Sequence, residues 1–211
     1  GGAEQSIVAY DGTGSTSTSA TVSGLEGGRV YSFVVSGVSG AGEGDLSDAF
    51  EQSTSPGAPS GLSSVVQTTS SISLEWTAPA ELGGDSVSEY VLYMDDGSGE
   101  DAALSTEAYR GELSSSVVVS GLAGGRSYRF AVSAVSASGE GFRSAVMAQS
   151  TSPGAGSAPV SDHQTASSIQ LSWSAPASST GLDATGYRVY DVSSESSVLV
   201  YDGAESSSVE A

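Results

Sequence analysis

The chain repeats itself in phase, and a repeat of domain length restricts the fold more than any composition figure. Ser23-Gly24-Leu25-Glu26-Gly27-Gly28-Arg29-Val30-Tyr31-Ser32-Phe33 returns as Ser120-Gly121-Leu122-Ala123-Gly124-Gly125-Arg126-Ser127-Tyr128-Arg129-Phe130. Ser71-Ile72-Ser73-Leu74-Glu75-Trp76 returns as Ser168-Ile169-Gln170-Leu171-Ser172-Trp173. Both pairs share one displacement of about 97 residues, far above the short periods of stacked solenoids. The chain is therefore an array of one domain type. We assign residues 1–57 to the C-terminal part of one unit, 58–154 to a complete unit and 155–211 to the N-terminal part of a third.

Within the complete unit, runs of alternating apolar and polar residues are broken by Gly, Pro and Ser, the pattern of short strands. Leu62 to Val66 reads as a first strand. Ile72, Leu74 and Trp76 alternate with Ser73 and Glu75 in a half-buried second, which Pro79 ends. Tyr90 to Met94 is a third, Leu104 to Tyr109 a fourth, Val117 to Val119 a fifth and Ala145 to Gln149 a seventh. The sixth is the cleanest: Tyr128, Phe130, Val132 and Ala134 alternate with Arg129, Ala131 and Ser133. No stretch keeps a helical period over a useful length. Seven short strands with frequent turn signals predict an all-β, antiparallel, seven-stranded sandwich. Its inward face should hold Ile72, Leu74, Trp76, Tyr90, Leu122, Tyr128, Phe130 and Val132.

The unit resembles a fibronectin type III domain. Trp76 followed by Pro79, Tyr90 on the third strand, and Leu122 with Tyr128 six residues later carry the resemblance. The alternating run from Tyr128 to Ser136, then Gly139-Glu140-Gly141 and Ser144, complete it. The first unit supplies Leu25, Tyr31, Phe33, Val35 and Gly42-Glu43-Gly44, and the third supplies Trp173, Pro176, Tyr187 and Tyr190. The resemblance implies an immunoglobulin-like sandwich in tandem repeats. It also implies a corner where a tyrosine ring packs and its hydroxyl reaches backbone polar groups. It implies no particular activity, because such domains serve many roles.

Charge and composition exclude several classes. The formal net charge is −19, with 25 Asp and Glu against six Arg and no Lys. Phosphate-backbone binding needs a basic stripe, so nucleic acid is not expected as a partner. A surface this acidic repels itself and stays solvated. No Cys is present, so there is neither a disulfide framework nor thiolate chemistry. No Asn is present, so there is no N-glycan acceptor, whereas the Ser/Thr runs such as Gly14 to Thr21 could take O-linked sugars. No apolar run approaches a membrane span, and no membrane insertion is expected in this segment.

The search for chemistry returns no catalytic, cofactor-binding or metal residues. His163 is the only His; beside Asp162 it could orient a serine, but no Gly-x-Ser-x-Gly elbow accompanies it. A lone His with no Cys excludes a structural zinc site in practice. With no Lys and no Gly-x-Gly-x-x-Gly, no nucleotide-binding loop exists. Asp95-Asp96-Gly97-Ser98-Gly99-Glu100-Asp101 is the best calcium candidate, yet its spacing is not that of an EF-hand, and a solvated acidic loop is the simpler reading. Arg110-Gly111-Glu112 resembles an integrin-type tripeptide but carries Glu in place of Asp, and we read it as a turn. Gly139-Glu140-Gly141 and Gly42-Glu43-Gly44 read as hairpin turns.

Val198-Leu199-Val200-Tyr201-Asp202-Gly203 resembles Ile7-Val8-Ala9-Tyr10-Asp11-Gly12, so the two ends carry duplicate strands. Duplication fits a window onto a longer array better than halves that complete one another. Ser53-Thr54-Ser55-Pro56-Gly57 and Ser150-Thr151-Ser152-Pro153-Gly154 read as short, Pro-restricted linkers that stack units end to end. Together these features point to a non-catalytic structural segment of an extracellular or cell-surface filament, sheath or adhesin. Its partners would be neighbouring copies or repeats, with other surface proteins or polysaccharide as the alternative. A ligand-binding module and a spacer region of a larger secreted enzyme are the competing readings.

Overall fold

The computed structural model describes residues 8–98, 103–177, 184–193, 196–204 and 208–210. Every regular element among them is a strand. In the first unit, β1 (Val30–Phe33) pairs antiparallel with β4 (Phe50–Ser53), and β2 (Val38–Ser39) with β3 (Gly42–Glu43). The central unit holds β5 (Ser60–Gln67), β6 (Ser71–Thr77), β7 (Glu89–Met94), β8 (Thr106–Glu112), β9 (Ser116–Ser120), β10 (Ser127–Ser136), β11 (Gly139–Glu140) and β12 (Met147–Ser150). The third unit holds β13 (Val160–Gln164), β14 (Ile169–Ser172), β15 (Gly186–Asp191), β16 (Val198–Ala204) and β17 (Ser208–Glu210).

The central unit is a two-sheet antiparallel sandwich. One sheet runs β5-β6-β9; in the other, β8-β7-β10 continues into β11 and β12, which share the far edge of β10. All eight residues expected on the inward face are buried, and Leu92, Val119 and Ala134 join them. Trp76 comes from one sheet and Tyr128 from the other, so the core is closed from both sides. Trp76 meets Tyr90 edge-on, with ring centroids 5.5 Å apart. Burying a side chain of this size contributes roughly 1.5–3 kcal/mol, which explains why a unit without disulfides holds together.

Four expectations need correcting. The fourth strand lies at Thr106–Glu112, later than Leu104 to Tyr109, because β8 follows the register of β7 across a bulge at Leu92/Tyr93. For the same reason Arg110-Gly111-Glu112 is no turn: Arg110 pairs Val91, Gly111 pairs Tyr90 and Glu112 pairs Glu89. The last strand begins at Met147, not Ala145, because Ser144 is spent on β10: its backbone N–H donates to Val132 O and its hydroxyl accepts from Val132 N. Residues 8–12 form no strand, since the first unit offers them no partner like β7; Ile7 lies outside the described residues.

Neither linker is a free tether. The Thr54 N–H donates to Arg29 O at 2.9 Å, its hydroxyl accepts from Arg29 N at 3.0 Å, and that hydroxyl donates to Glu26 O at 2.7 Å. Thr151 repeats this set on Arg126 and Ala123 at 3.0, 3.1 and 2.7 Å. Gly28 N donates to Ser55 O, and Gly125 N to Ser152 O. Each linker is stitched to the Gly-Gly-Arg turn of the unit it leaves.

Candidate functional site

The residues with catalytic or metal-binding potential do not converge. His163 lies on β13, exposed, opposite Gln170. Asp95 is 1 % exposed, and its carboxylate accepts from Gly97 N and Arg129 N, both at 3.1 Å. It is a structural pin: it closes the turn after β7 and ties that turn to β10. Asp96 faces solvent and accepts from Ser98 N at 2.9 Å. The Ser98 hydroxyl first, then its backbone N–H, hold the Asp96 carboxyl below the usual carboxylate range. Gly99, Glu100 and Asp101 lie outside the described residues. Among the described residues, no three His, Asp or Glu side chains are grouped to hold a metal ion.

The most organised surface is one that strand alternation does not disclose. Arg129, Ala131 and Ser133 should face solvent, yet Ala131 and Ser133 are as buried as Phe130, and Val91 beside them is fully buried. A polar and aromatic layer covers them. The Arg143 guanidinium lies 3.5 Å above the Tyr93 ring, a contact worth about 0.5–1 kcal/mol at an exposed position. Tyr93 donates its hydroxyl to Glu140 at 2.8 Å, and Ser133 donates to the same carboxylate oxygen at 2.6 Å. Burial pushes the Glu140 carboxyl up, but the Ser133 and Tyr93 hydroxyls and the Arg110 and Arg143 charges outweigh it and leave it lowered. Next to it Arg110 bridges Glu89 at 2.5 Å and Glu107 at 3.0 Å. The layer is fully engaged with itself: it shields the sheet and presents paired charges, with no group poised for proton transfer.

Two smaller devices recur along the chain. The Tyr128 hydroxyl accepts from Ala123 N at 2.9 Å, and the Tyr31 hydroxyl accepts from Glu26 N at 2.9 Å. These are the tyrosine corners that the Leu-to-Tyr spacing implied. The second device was not anticipated. Tyr109 folds its ring over Gly111, two residues on, so closely that any side chain there would overlap it; Tyr201 does the same over Gly203. The signal was present as Tyr-x-Gly at Tyr10, Tyr109 and Tyr201, but only the packing gives it meaning.

The sandwich, the Trp-bearing sheet and the tyrosine corner meet in residues that match the fibronectin type III domain family over 57–150. That segment is a fibronectin type III domain. The same motifs recur at the same displacement on either side of it. Among curated proteins, the chain is 36% identical to chitinase A1 of Niallia circulans over 137 residues, 60% of this chain and 18% of that one. It is 30% identical to receptor-type tyrosine-protein phosphatase H of Homo sapiens over 161 residues, 76% of this chain and 14% of that one. The chain thus spans less than a fifth of either relative's length. Among solved structures, a human fibronectin type III domain is 25% identical with a TM-score of 0.44, covering 58% of this chain and 98% of its own. The fibronectin type III match places a module type within the chain and assigns no catalytic group to it.

Proposed function

We propose that this chain is a non-catalytic, rod-like spacer and assembly segment of an extracellular or cell-surface protein. The observation that carries the reading is the repeated stitching of both linkers. Thr54 and Thr151 bind the Gly-Gly-Arg turn behind them through the same bonds, so each linker is held by the unit it leaves and only a short Pro-bearing stretch remains between units. A chain built this way holds its ends apart at a set distance. The acidic surface and self-satisfied charge layer favour solubility over tight capture of a ligand. Neighbouring repeats or copies are the partners this reading calls for, and a filament, sheath or adhesin is the setting. No helix among the described residues is long and apolar enough to cross a membrane, so an anchor of that kind is not supplied by them.

A second reading has its own support. Similarity to chitinase A1 over 60% of the chain suits a spacer region within a larger secreted enzyme, where the same rod would separate other domains. Electron microscopy of the native material tests the first. Fibres with a regular axial repeat are expected; isolated short rods attached to a globular body would overturn the filament setting. Dose-dependent retention of a polysaccharide on a glycan array would replace the spacer role with that of a binding module.

A further inference from the structure

The junction between the first and central units carries more than the linker. The Gly27-Gly28 turn of the first unit sits against two loops of the next, at Glu81–Gly84 and Gly139–Phe142. A side chain on Gly28 would overlap the Glu81 carbonyl, and one on Gly141 would overlap the Pro56 carbonyl. One on Gly83 would lie 3.0 Å from both the Gly28 carbonyl carbon and the Thr54 carbonyl oxygen. The Phe142 ring comes within 3.1 Å of the position a side chain on Gly27 would take. Hydrogen bonds cross the same gap: Gly57 N donates to Glu81 O at 2.9 Å, Ser55 donates its hydroxyl to Ser138 O at 2.8 Å, and Ser53 donates to Gly83 O. Pro56 is fully buried in the middle.

Adjacent domains usually move relative to one another unless their interface is extensive. Here the backbones themselves are in contact because side chains are missing at the points of approach. We infer that this glycine-lined joint is a recognition surface between successive units, which fixes the orientation of each on the next. Its partner is another unit of the same chain, presented by the Gly-Gly-Arg turn. Gly124-Gly125-Arg126 presents the same turn toward the third unit less closely, since a side chain on Gly125 would meet Ala177 O at an ordinary contact distance of 3.7 Å. The inference deepens the spacer reading by naming what would keep the spacer straight.

Gly141 is the clean probe. Its backbone does not require a positive φ, so Gly141→Ala adds only the methyl that strikes Pro56. Gly44 occupies the matching place in the first unit and would meet only the Gly37 carbonyl, at 3.5 Å. The chain has no Cys, so spin labels introduced through Glu51→Cys and Ser116→Cys in the full chain report the inter-unit distance by pulsed electron resonance. The parent should give one narrow distribution, Gly141→Ala one about twice as wide, and Gly44→Ala the parent's. Near-ultraviolet circular dichroism of the same samples checks that the central unit stays folded. A broad distribution in the parent, or a narrow one in Gly141→Ala with the fold intact, overturns the joint. Either result leaves the non-catalytic reading standing, because a flexible spacer is still a spacer. If Gly141→Ala unfolds the unit, Gly27→Ala on the opposite face, which also needs no positive φ, serves as the second arm, with the same two outcomes.

Discussion

The central unit and its flanking partners use the same local parts and reach different ends. Val35 N donates to Ser47 Oγ at 3.1 Å, and Val132 N donates to Ser144 Oγ at 3.1 Å. Ser36 donates to Glu43, and Ser133 donates to Glu140. Trp173 meets Tyr187 edge-on at 5.5 Å, as Trp76 meets Tyr90. Even the buried indole N–H of each Trp lacks an acceptor among the described residues. Yet Val132 is 0 % exposed and Val35 71 %; Ile72 is 0 % exposed and Ile169 52 %. Hairpins and corners are therefore set by short-range bonding, and the Trp–Tyr pair forms once the first strand of the second sheet meets the Trp-bearing one. Removal from water needs more of the second sheet: β8-β7-β10 closes over β5-β6-β9 in the central unit, whereas among the described residues the third unit sets only β15-β16 against β13-β14-β17.

Trp76→Ala should separate the two regions most. It should cost the central unit about 3–5 kcal/mol, enough to unfold a marginal domain, whereas Trp173→Ala should cost under about 1 kcal/mol because its site is only half-buried. Urea denaturation followed by far-ultraviolet circular dichroism reads both variants, and each keeps one Trp as a fluorescent reporter. Equal losses would break the comparison.

Asp95→Ala should come next, at about 2–3 kcal/mol, because one buried and one part-buried backbone N–H lose a charged acceptor. The residue 97 positions on is Val192, exposed, so Val192→Ala should leave the urea midpoint where it was. Tyr128→Phe and Tyr31→Phe then refine the point. They remove the same 2.9 Å bond, but the first leaves a part-buried N–H unpaired and should cost about 1–2 kcal/mol. Water can replace the second, at under about 0.5 kcal/mol. Similar values would mean that burial of the corner does not matter.

The smallest effect concerns pH. The Glu140 carboxyl is lowered in the folded unit, so it stabilises the fold above the ordinary carboxylate pKa, and that contribution fades as pH falls through the folded value. Thermal melts of the parent should therefore lose stability on acidification below about pH 4.5, and Glu140→Gln should flatten part of that slope. A slope unchanged in Glu140→Gln would remove the carboxylate from the account of how the outer sheet is covered.

Six of the eight core positions were readable because each large apolar residue alternates with a small or polar one along β6 and β10; Tyr90 and Leu122 were readable only through the family resemblance. Ala134 stood in the alternating run without being placed inward, and Leu92 and Val119 escaped because Tyr90 to Met94 and Val117 to Val119 are continuously apolar and show no alternation. The covered outer face escaped for another reason. Alternation says that Ser133 and Phe130 face opposite ways; it does not say that Tyr93, Glu140 and Arg143, from separate strands and a loop, assemble over Ser133. Arg110 was read as part of a turn because a tripeptide with Gly at its centre resembles one, and only pairing with β7 shows that it is strand.

By itself, the sequence determined the array, the strand alternation and the tyrosine corners, because all three depend on contacts between residues close in order or on a period that can be counted. Tertiary structure alone decided which apolar residues leave water, what covers the outer sheet, and why Gly141 cannot carry a side chain. Those depend on atoms brought together from distant positions, such as the Pro56 carbonyl against Gly141, and no local pattern encodes a distance between two backbones.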